Sequence, residues 1–188
     1  MKPAKPAPAL DHAMPGEPSR EAMIARMIRV DQAGEYGAAR IYAGQLAVLG
    51  RTRAAPALRR MAEQEQRHLD EFDRMMVERR VRPTLLQPLW HVAGFALGAA
   101  TAMLGEKAAM ACTVAVEETI DAHYRRQAER LGDDETKLRD TIEDFREDEL
   151  EHRTIALEHG AKEAPAYAPL TAAIKNASRI AIWLSERF

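Results

Sequence analysis

The stretch EDELEHRT, residues 147–154, places charged side chains where the surrounding pattern predicts a buried helix face. Apolar residues recur at three- and four-residue intervals before and after it, as they do in an amphipathic helix. The same series passes through Glu149 and His152, which lie one helical turn apart. An inward-facing glutamate and histidine need a buried partner, and the rest of the chain indicates what that partner is.

Four long helical patterns account for most of the chain. Hydrophobic residues make up 46%, charged residues 30% and aromatic residues only 5% of the 188 residues, which favours an all-α fold. The helical patterns extend over residues 19–49, 54–80, 107–131 and 134–159. Four amphipathic helices bury their apolar stripes most simply against one another, so we predict a four-helix bundle within one domain of residues 20–188. The preceding residues 1–19, rich in proline and alanine, are predicted to form a disordered tail.

The inward-facing pair of the fourth helix has a counterpart on the second. There the apolar stripe is interrupted by Glu65 and His68, with the same spacing as Glu149 and His152. Residues three apart on a helix lie on one face, so each pair is predicted to point into the bundle.

A single glutamate interrupts the stripe of each remaining helix, Glu35 on the first and Glu117 on the third. Each precedes a Glu-x-x-His pair, by 30 residues in the first half of the chain and by 32 in the second. The single glutamates are 82 residues apart and the pairs are 84 residues apart. The chain therefore contains an internal repeat of a helix hairpin, visible in its inward-facing polar residues.

These polar residues predict a two-metal site. Four buried carboxylates would be costly to desolvate and would repel one another, and no lysine or arginine lies at these stripe positions to neutralise them. Two divalent cations would balance four carboxylates, and oxygen ligands with imidazole nitrogen suit iron or manganese. One glutamate from each of two helices and a Glu-x-x-His pair from each of the others is the ligand set of ferritin-like di-metal bundles. The alternative is a solvated or salt-bridged helix face. The predicted ligands are Glu35, Glu65, His68, Glu117, Glu149 and His152.

Two further segments lie outside the four-helix pattern. Residues 83–105 contain no charged side chain and are numerous enough to span a membrane, but two prolines and three glycines argue against a spanning helix. We predict a broken helical segment that lies in a membrane interface or lines an apolar channel, with a buried crossover as the alternative. The flanking Arg79, Arg80 and Arg82 would suit anionic head groups. The C-terminal pattern, residues 169–188, is either a second interfacial element or a fifth helix packed on the bundle.

Long strings of this sequence resemble the demethoxyubiquinone hydroxylases of ubiquinone biosynthesis. The resemblance extends over residues 27–188 and is carried by RVDQAGEYGAARIYAGQLAVLGRT, RVRPTLLQPLWHVAGFALGAATAMLGEKAAMACTVAVEETIDAHY, EDELEHR, PAYAPL and AIWLSERF. It implies a ferritin-like di-iron monooxygenase in which the six predicted ligands hold two irons, with Glu65 and Glu149 as bridging carboxylates. It also implies that one atom of O2 is inserted at the unsubstituted ring carbon of a polyprenylated demethoxyubiquinol and that the other leaves as water. NADH is a candidate reductant.

The same resemblance implies peripheral attachment to a membrane, because such a quinol dissolves in the bilayer. The N-terminus has neither the apolar run of a secretory signal nor the Arg-rich helix of a mitochondrial transit peptide, so we expect the cytoplasmic face of a bacterial cell membrane. The formal net charge of -2 gives no reason to expect nucleic acid as a partner, whereas a second copy or other proteins of ubiquinone biosynthesis are candidate partners. An iron oxidase like ferritin or bacterioferritin is the alternative function, followed by a membrane-bound bundle without chemistry.

Four further residues are candidates for supporting the ligands. The resemblance makes His123 and Tyr124 candidates for groups behind the ligands or on an electron path. Asp31 and Asp148 lie near the polar stripes and could orient the histidine ligands, as carboxylates often do at metal sites.

Overall fold

The computed structural model describes residues 18–188, and almost all of the predicted tail lies outside the described residues. The described part contains helices and no strands, which confirms the all-α, ferritin-like prediction. Short 3₁₀ turns precede α5 and α6. The helices are α1 (Arg20–Leu49), α2 (Ala55–Arg79), α3 (Gln87–Met103), α4 (Glu106–Arg130), α5 (Thr136–Glu158) and α6 (Tyr167–Ser185).

Helices α1, α2, α4 and α5 form the bundle, with α1 packed on α2 and α4 packed on α5. The ends of the helices follow from local residues. Ser19 caps α1 by accepting a hydrogen bond from the backbone N–H of Ala22, and α2 ends where Arg80 adopts a left-handed conformation (φ 54°). The predicted helix boundaries agree with these bounds to within a few residues.

The inward-facing polar residues divide the apolar core into two regions. On α2, Leu58 and Met61 belong to one buried cluster and Phe72 belongs to the other, while Glu65 and His68 lie between them. On α1 and α5 as well, the buried apolar residues before and after the inward-facing polar residues belong to different clusters. The polar residues therefore lie in the middle of the bundle, enclosed by apolar side chains at both ends.

Helix α3 is continuous, so the prediction of a broken segment was wrong. Pro88 lies in its first turn, where a missing N–H breaks no helical hydrogen bond. The glycines allow α3 to approach α1 closely, since a Cβ at Gly98 would lie 1.9 Å from the carbonyl oxygen of Ile41, and one at Gly44 would lie 2.2 Å from that of Phe95. The glycines that suggested an interrupted helix are thus the residues that permit its packing.

Helix α6 packs on α4, so the C-terminal segment is a helix of the folded domain. Its last turn meets the start of α3, where the N–H of Leu85 donates to the carbonyl oxygen of Phe188 at 2.9 Å and Trp90 Nε1 donates to Ser185 Oγ at 3.0 Å. None of the helices in residues 18–188 combines the length and the apolar composition that crossing a bilayer requires.

One of the arginines predicted to suit anionic head groups is paired within the protein. Arg79 forms an ion pair with Glu135 at 2.7 Å, so its charge is partly neutralised within the protein rather than free for head groups.

Candidate metal centre

The structure brings all six predicted ligands together at the centre of the bundle. They form two groups of four, and within each group the candidate ligand atoms lie within 4.8 Å of one another. Glu65 and Glu149 belong to both groups, as bridging carboxylates would. The first group is Glu35, Glu65, His68 and Glu149; the second is Glu65, Glu117, Glu149 and His152.

Both histidine rings direct the same nitrogen toward the carboxylates. His68 Nδ1 lies 3.3 Å from Glu149 Oε1 and 3.5 Å from Glu35 Oε2. His152 Nδ1 lies 3.2 Å from Glu65 Oε1 and 3.2 Å from Glu149 Oε2. These side chains are at most 1% exposed, so water cannot solvate the charges.

The donor atoms that face one another fit a metal centre. Several are buried and have no hydrogen-bond partner among the described residues, which is costly unless a cation binds them. Oxygen and imidazole nitrogen are ligands that iron and manganese accept. The unpartnered atoms are Glu35 Oε2, both carboxylate oxygens of Glu65, His68 Nδ1, Glu117 Oε2 and Glu149 Oε1.

Without metal, the cluster must hold protons to limit its charge. Burial, followed by the charge of Glu149, raises the pKa of Glu65 and of Glu117 well above the usual carboxyl range. Burial would lower the pKa of His68, but the carboxylates of Glu149 and Glu35 beside its Nδ1 raise it to about 11. Burial would raise the pKa of Glu149, but the neighbouring imidazoles of His152 and His68 lower it to about 2. Metal binding at this cluster would therefore displace protons.

Two tyrosines hold the non-shared glutamates, one in each half of the repeat. Tyr42 OH donates to Glu117 Oε1 at 2.9 Å, and Tyr124 OH donates to Glu35 Oε1. Burial and then the nearby carboxylates raise both tyrosine pKa values, so the hydroxyls remain donors. Tyr124 was predicted behind the ligands, whereas Tyr42 was missed. Tyr42 could have been found from the sequence, because each tyrosine follows the single glutamate of its own half by seven residues.

Asp148 and Asp31 were both predicted to orient the histidine ligands, and only Asp148 contacts one of them. Asp148 Oδ2 lies 3.0 Å from His68 Nε2, as expected. Asp31 contacts neither His68 nor His152; its Oδ1 instead lies 3.2 Å from His123 Nε2 and accepts a hydrogen bond from Gln127, so this expectation was wrong. His123 itself contacts no predicted ligand through these hydrogen bonds. Its part in an electron path stays a prediction.

An apolar cavity of about 180 Å³ lies between the bundle and helices α3 and α6. It is lined by residues of α1, α3, α4 and α6, among them Trp90 and Leu97 of α3. Gly34 and Ala38 of its wall flank Glu35 on α1, and Val116 and Ile120 flank Glu117 on α4. The cavity therefore reaches the two helices that carry the non-shared glutamates. It also agrees with the expectation that residues 83–105 line an apolar channel.

The chain is similar to named hydroxylases over most of its length. It is 62% identical over 175 residues to a 3-demethoxyubiquinol 3-hydroxylase of Rhodospirillum rubrum, covering 93% of this chain and 82% of that protein. It is 55% identical over 170 residues to the human mitochondrial NADPH-dependent 3-demethoxyubiquinone 3-hydroxylase, covering 88% of this chain and 78% of that protein. It is 44% identical over 186 residues to the mitochondrial 5-demethoxyubiquinone hydroxylase of Saccharomyces cerevisiae, covering 90% and 80%.

The sequence model of one protein family, described as ubiquinone biosynthesis protein COQ7, matches residues 22–185. The matched range contains both halves of the internal repeat and all six residues of the central cluster. The chain belongs to this family.

Proposed function

We propose that this chain is an oxygen-dependent di-iron monooxygenase that hydroxylates the ring of a polyprenylated demethoxyubiquinol. The observation that carries the proposal is the buried cluster of four glutamates and two histidines, arranged as two overlapping groups. An apolar cavity reaches the helices that carry Glu35 and Glu117. Membership of the family and the hydroxylase names of the relatives support an oxidoreductase acting on a demethoxyubiquinol.

Glu65 and Glu149 would be shared by two metal ions, because each belongs to both groups. Glu35 with His68, and Glu117 with His152, would complete the two positions. Bound iron would supply the redox chemistry that activates O2. In the overall reaction a ring C–H becomes C–OH, the second oxygen atom leaves as water, and a reductant such as NADH supplies two electrons.

The residues around the cluster would position the groups and exclude water. Tyr42 and Tyr124 each donate to one oxygen of a non-shared glutamate and leave its other oxygen without a hydrogen-bond partner among the described residues. The cavity walls are apolar, so they would favour a quinone ring over water near the reacting atoms. The quinol ring would reach the cluster between α3 and α6, the helices that enclose the cavity from outside the bundle.

Metal analysis and oxygen transfer to a short-tailed demethoxyquinol test the proposal. The wild-type chain should hold two irons and incorporate one atom of ¹⁸O₂ into the product. A Glu149→Ala variant should lose both properties, whereas Glu147→Ala removes an exposed carboxylate two residues away and should retain them.

A Glu149→Ala protein with two irons and full activity would overturn the site. Iron loading far beyond two per chain, without hydroxylation, would favour the alternative of an iron oxidase.

A further inference from the structure

The internal repeat includes one position that differs chemically between its two halves. Gln64 and Asp148 each precede the glutamate of a Glu-x-x-His pair, and they lie 84 residues apart, as the pairs do. Each contacts the histidine of the other half. Asp148 Oδ2 lies 3.0 Å from His68 Nε2, and Gln64 Oε1 lies 3.2 Å from His152 Nε2. Equivalent positions thus place a carboxylate behind one ring and an amide behind the other.

The hydrogen bonds between these groups converge on Asp148. Because each ring directs Nδ1 into the cluster, Nε2–H is the outward donor, to Asp148 from His68 and to Gln64 from His152. Gln64 Nε2 in turn donates to Asp148 Oδ1 at 3.0 Å. Gln64 is buried, whereas the Asp148 side chain is 28% exposed and has the guanidinium of Arg67 3.5 Å away. One carboxylate therefore supports His68 directly and His152 only through a neutral amide.

The rest of the two groups is closely matched. Both include Glu65 and Glu149, and each has one further glutamate that accepts a hydrogen bond from a tyrosine. The rings also differ in their aromatic neighbours, since His68 stacks on Phe145 with ring centroids 4.0 Å apart and His152 does not. Any test must separate that packing difference from the difference between a carboxylate and an amide.

A carboxylate behind an imidazole strengthens the ring as a metal ligand more than a neutral acceptor does, because a hydrogen bond to a charged acceptor is stronger. We propose that Asp148 and Gln64 make the two metal positions unequal, so that the position served by His68 binds a divalent cation more tightly than the position served by His152. Asp148 is the positioning residue that sets this difference. The inference rests on the proposed metal centre and concerns how its two halves differ.

A swap of the two groups provides the test. The double variant Gln64→Glu/Asp148→Asn keeps the net charge. It also keeps a donor and an acceptor for each of the three hydrogen bonds. It moves the carboxylate from behind His68 to behind His152. All aromatic contacts stay the same, so a change in the order of affinity would follow from the exchanged groups alone.

The two positions can be measured separately by Co²⁺ titration of the metal-free full chain, followed by its visible absorption. His152→Gln leaves the position served by His68, and His68→Gln leaves the position served by His152. With Gln64 and Asp148 unchanged, the His152→Gln protein should bind Co²⁺ roughly 10-fold more tightly than the His68→Gln protein. This factor is at the lower end of the loss in metal affinity that follows when the group behind a ligating histidine is removed. In the swapped background the order should reverse.

Single variants give an independent reading if the swap perturbs folding. Asp148→Asn should weaken the position served by His68 by about 10–100-fold and the other position less, whereas the exposed Glu147→Gln should change neither. An order of affinity that is unchanged by the swap would overturn the inference and leave the metal centre standing. Failure of the intact chain to bind two Co²⁺ ions would overturn both.

Discussion

At the scale of single residues, the metal-free cluster should make folding stability depend on pH. The folded protein retains protons on Glu65 and Glu117 at pH values where the unfolded chain has lost them, because their pKa values are raised. The pKa of His68, raised to about 11, acts in the same direction. The stability that the raised pKa of His68 provides is fully present below the histidine pKa of the unfolded chain, about 6.5, and is lost as pH rises through 11.

We therefore expect the unfolding free energy of the metal-free protein to fall between pH 6.5 and 9. Each proton held only by the folded state contributes at most about 1.4 kcal/mol per pH unit. Added Fe²⁺ or Mn²⁺ should stabilise the protein more at higher pH, since binding displaces those protons. Urea unfolding at several pH values, with and without metal, measures both effects. The Glu65→Gln/Glu117→Gln variant, which mimics the protonated carboxyls, should show a shallower slope; a metal-free stability that rises with pH would contradict the assignment.

A residue of the cluster could be predicted from the sequence where it interrupts an apolar stripe of its helix. Glu149 and His152 were identifiable because helix periodicity alone places them inside. Tyr42 fits the apolar stripe and so showed no interruption, although its hydroxyl reaches Glu117. Gln64 lies beside the stripe, and its contact with His152 depends on how α2 and α5 pack. Asp31 lies near a stripe but meets His123, which periodicity within one helix cannot reveal.

At the scale of elements, the packing of α3 on α1 depends on glycine. A Cβ at Gly98 would lie 1.9 Å from the Ile41 carbonyl oxygen, so Gly98→Ala must push the helices apart. We expect a loss of about 1–3 kcal/mol in the free energy of unfolding. Gly37→Ala is the matched control in the same helix pair, because a Cβ there meets nothing within 4 Å. It should leave stability unchanged or raise it by up to about 1 kcal/mol. Equal effects of the two substitutions in urea unfolding would show that close approach is not the reason for Gly98.

The four bundle helices could be predicted because each carries a periodic apolar stripe, whereas α3 could not be placed in the same way. Its residues are almost all apolar or small, so no stripe marks which face is buried. Glycine and proline then suggested an interruption. In the structure Pro88 lies in the first turn of the helix and Gly98 faces α1, two positions that only the packing distinguishes.

At the scale of the whole molecule, α3 and α6 lie on the same side of the bundle and both expose apolar side chains. Val92 of α3 is 65% exposed and Ile180 of α6 is 59% exposed, and α3 has no charged residue. The cavity lies between these helices and the bundle. A bilayer against this side would bring a lipid-dissolved quinol to the cavity without a spanning helix, which is why we propose the membrane surface as a partner.

Substitutions on this side should weaken vesicle binding, and the structure offers a control of similar chemistry. Val92→Ser/Ile180→Ser removes two apolar side chains that would enter the interface, and we expect about a tenfold weaker partition in co-sedimentation with phosphatidylcholine vesicles. Leu150 is 36% exposed, but it lies on α5, which packs on α4 and α2 rather than on α3 or α6. Leu150→Ser should therefore bind vesicles as the wild type does. If the two variants lost binding equally, general surface hydrophobicity would explain the attachment; if neither did, the α3 and α6 side would not be the membrane-facing surface.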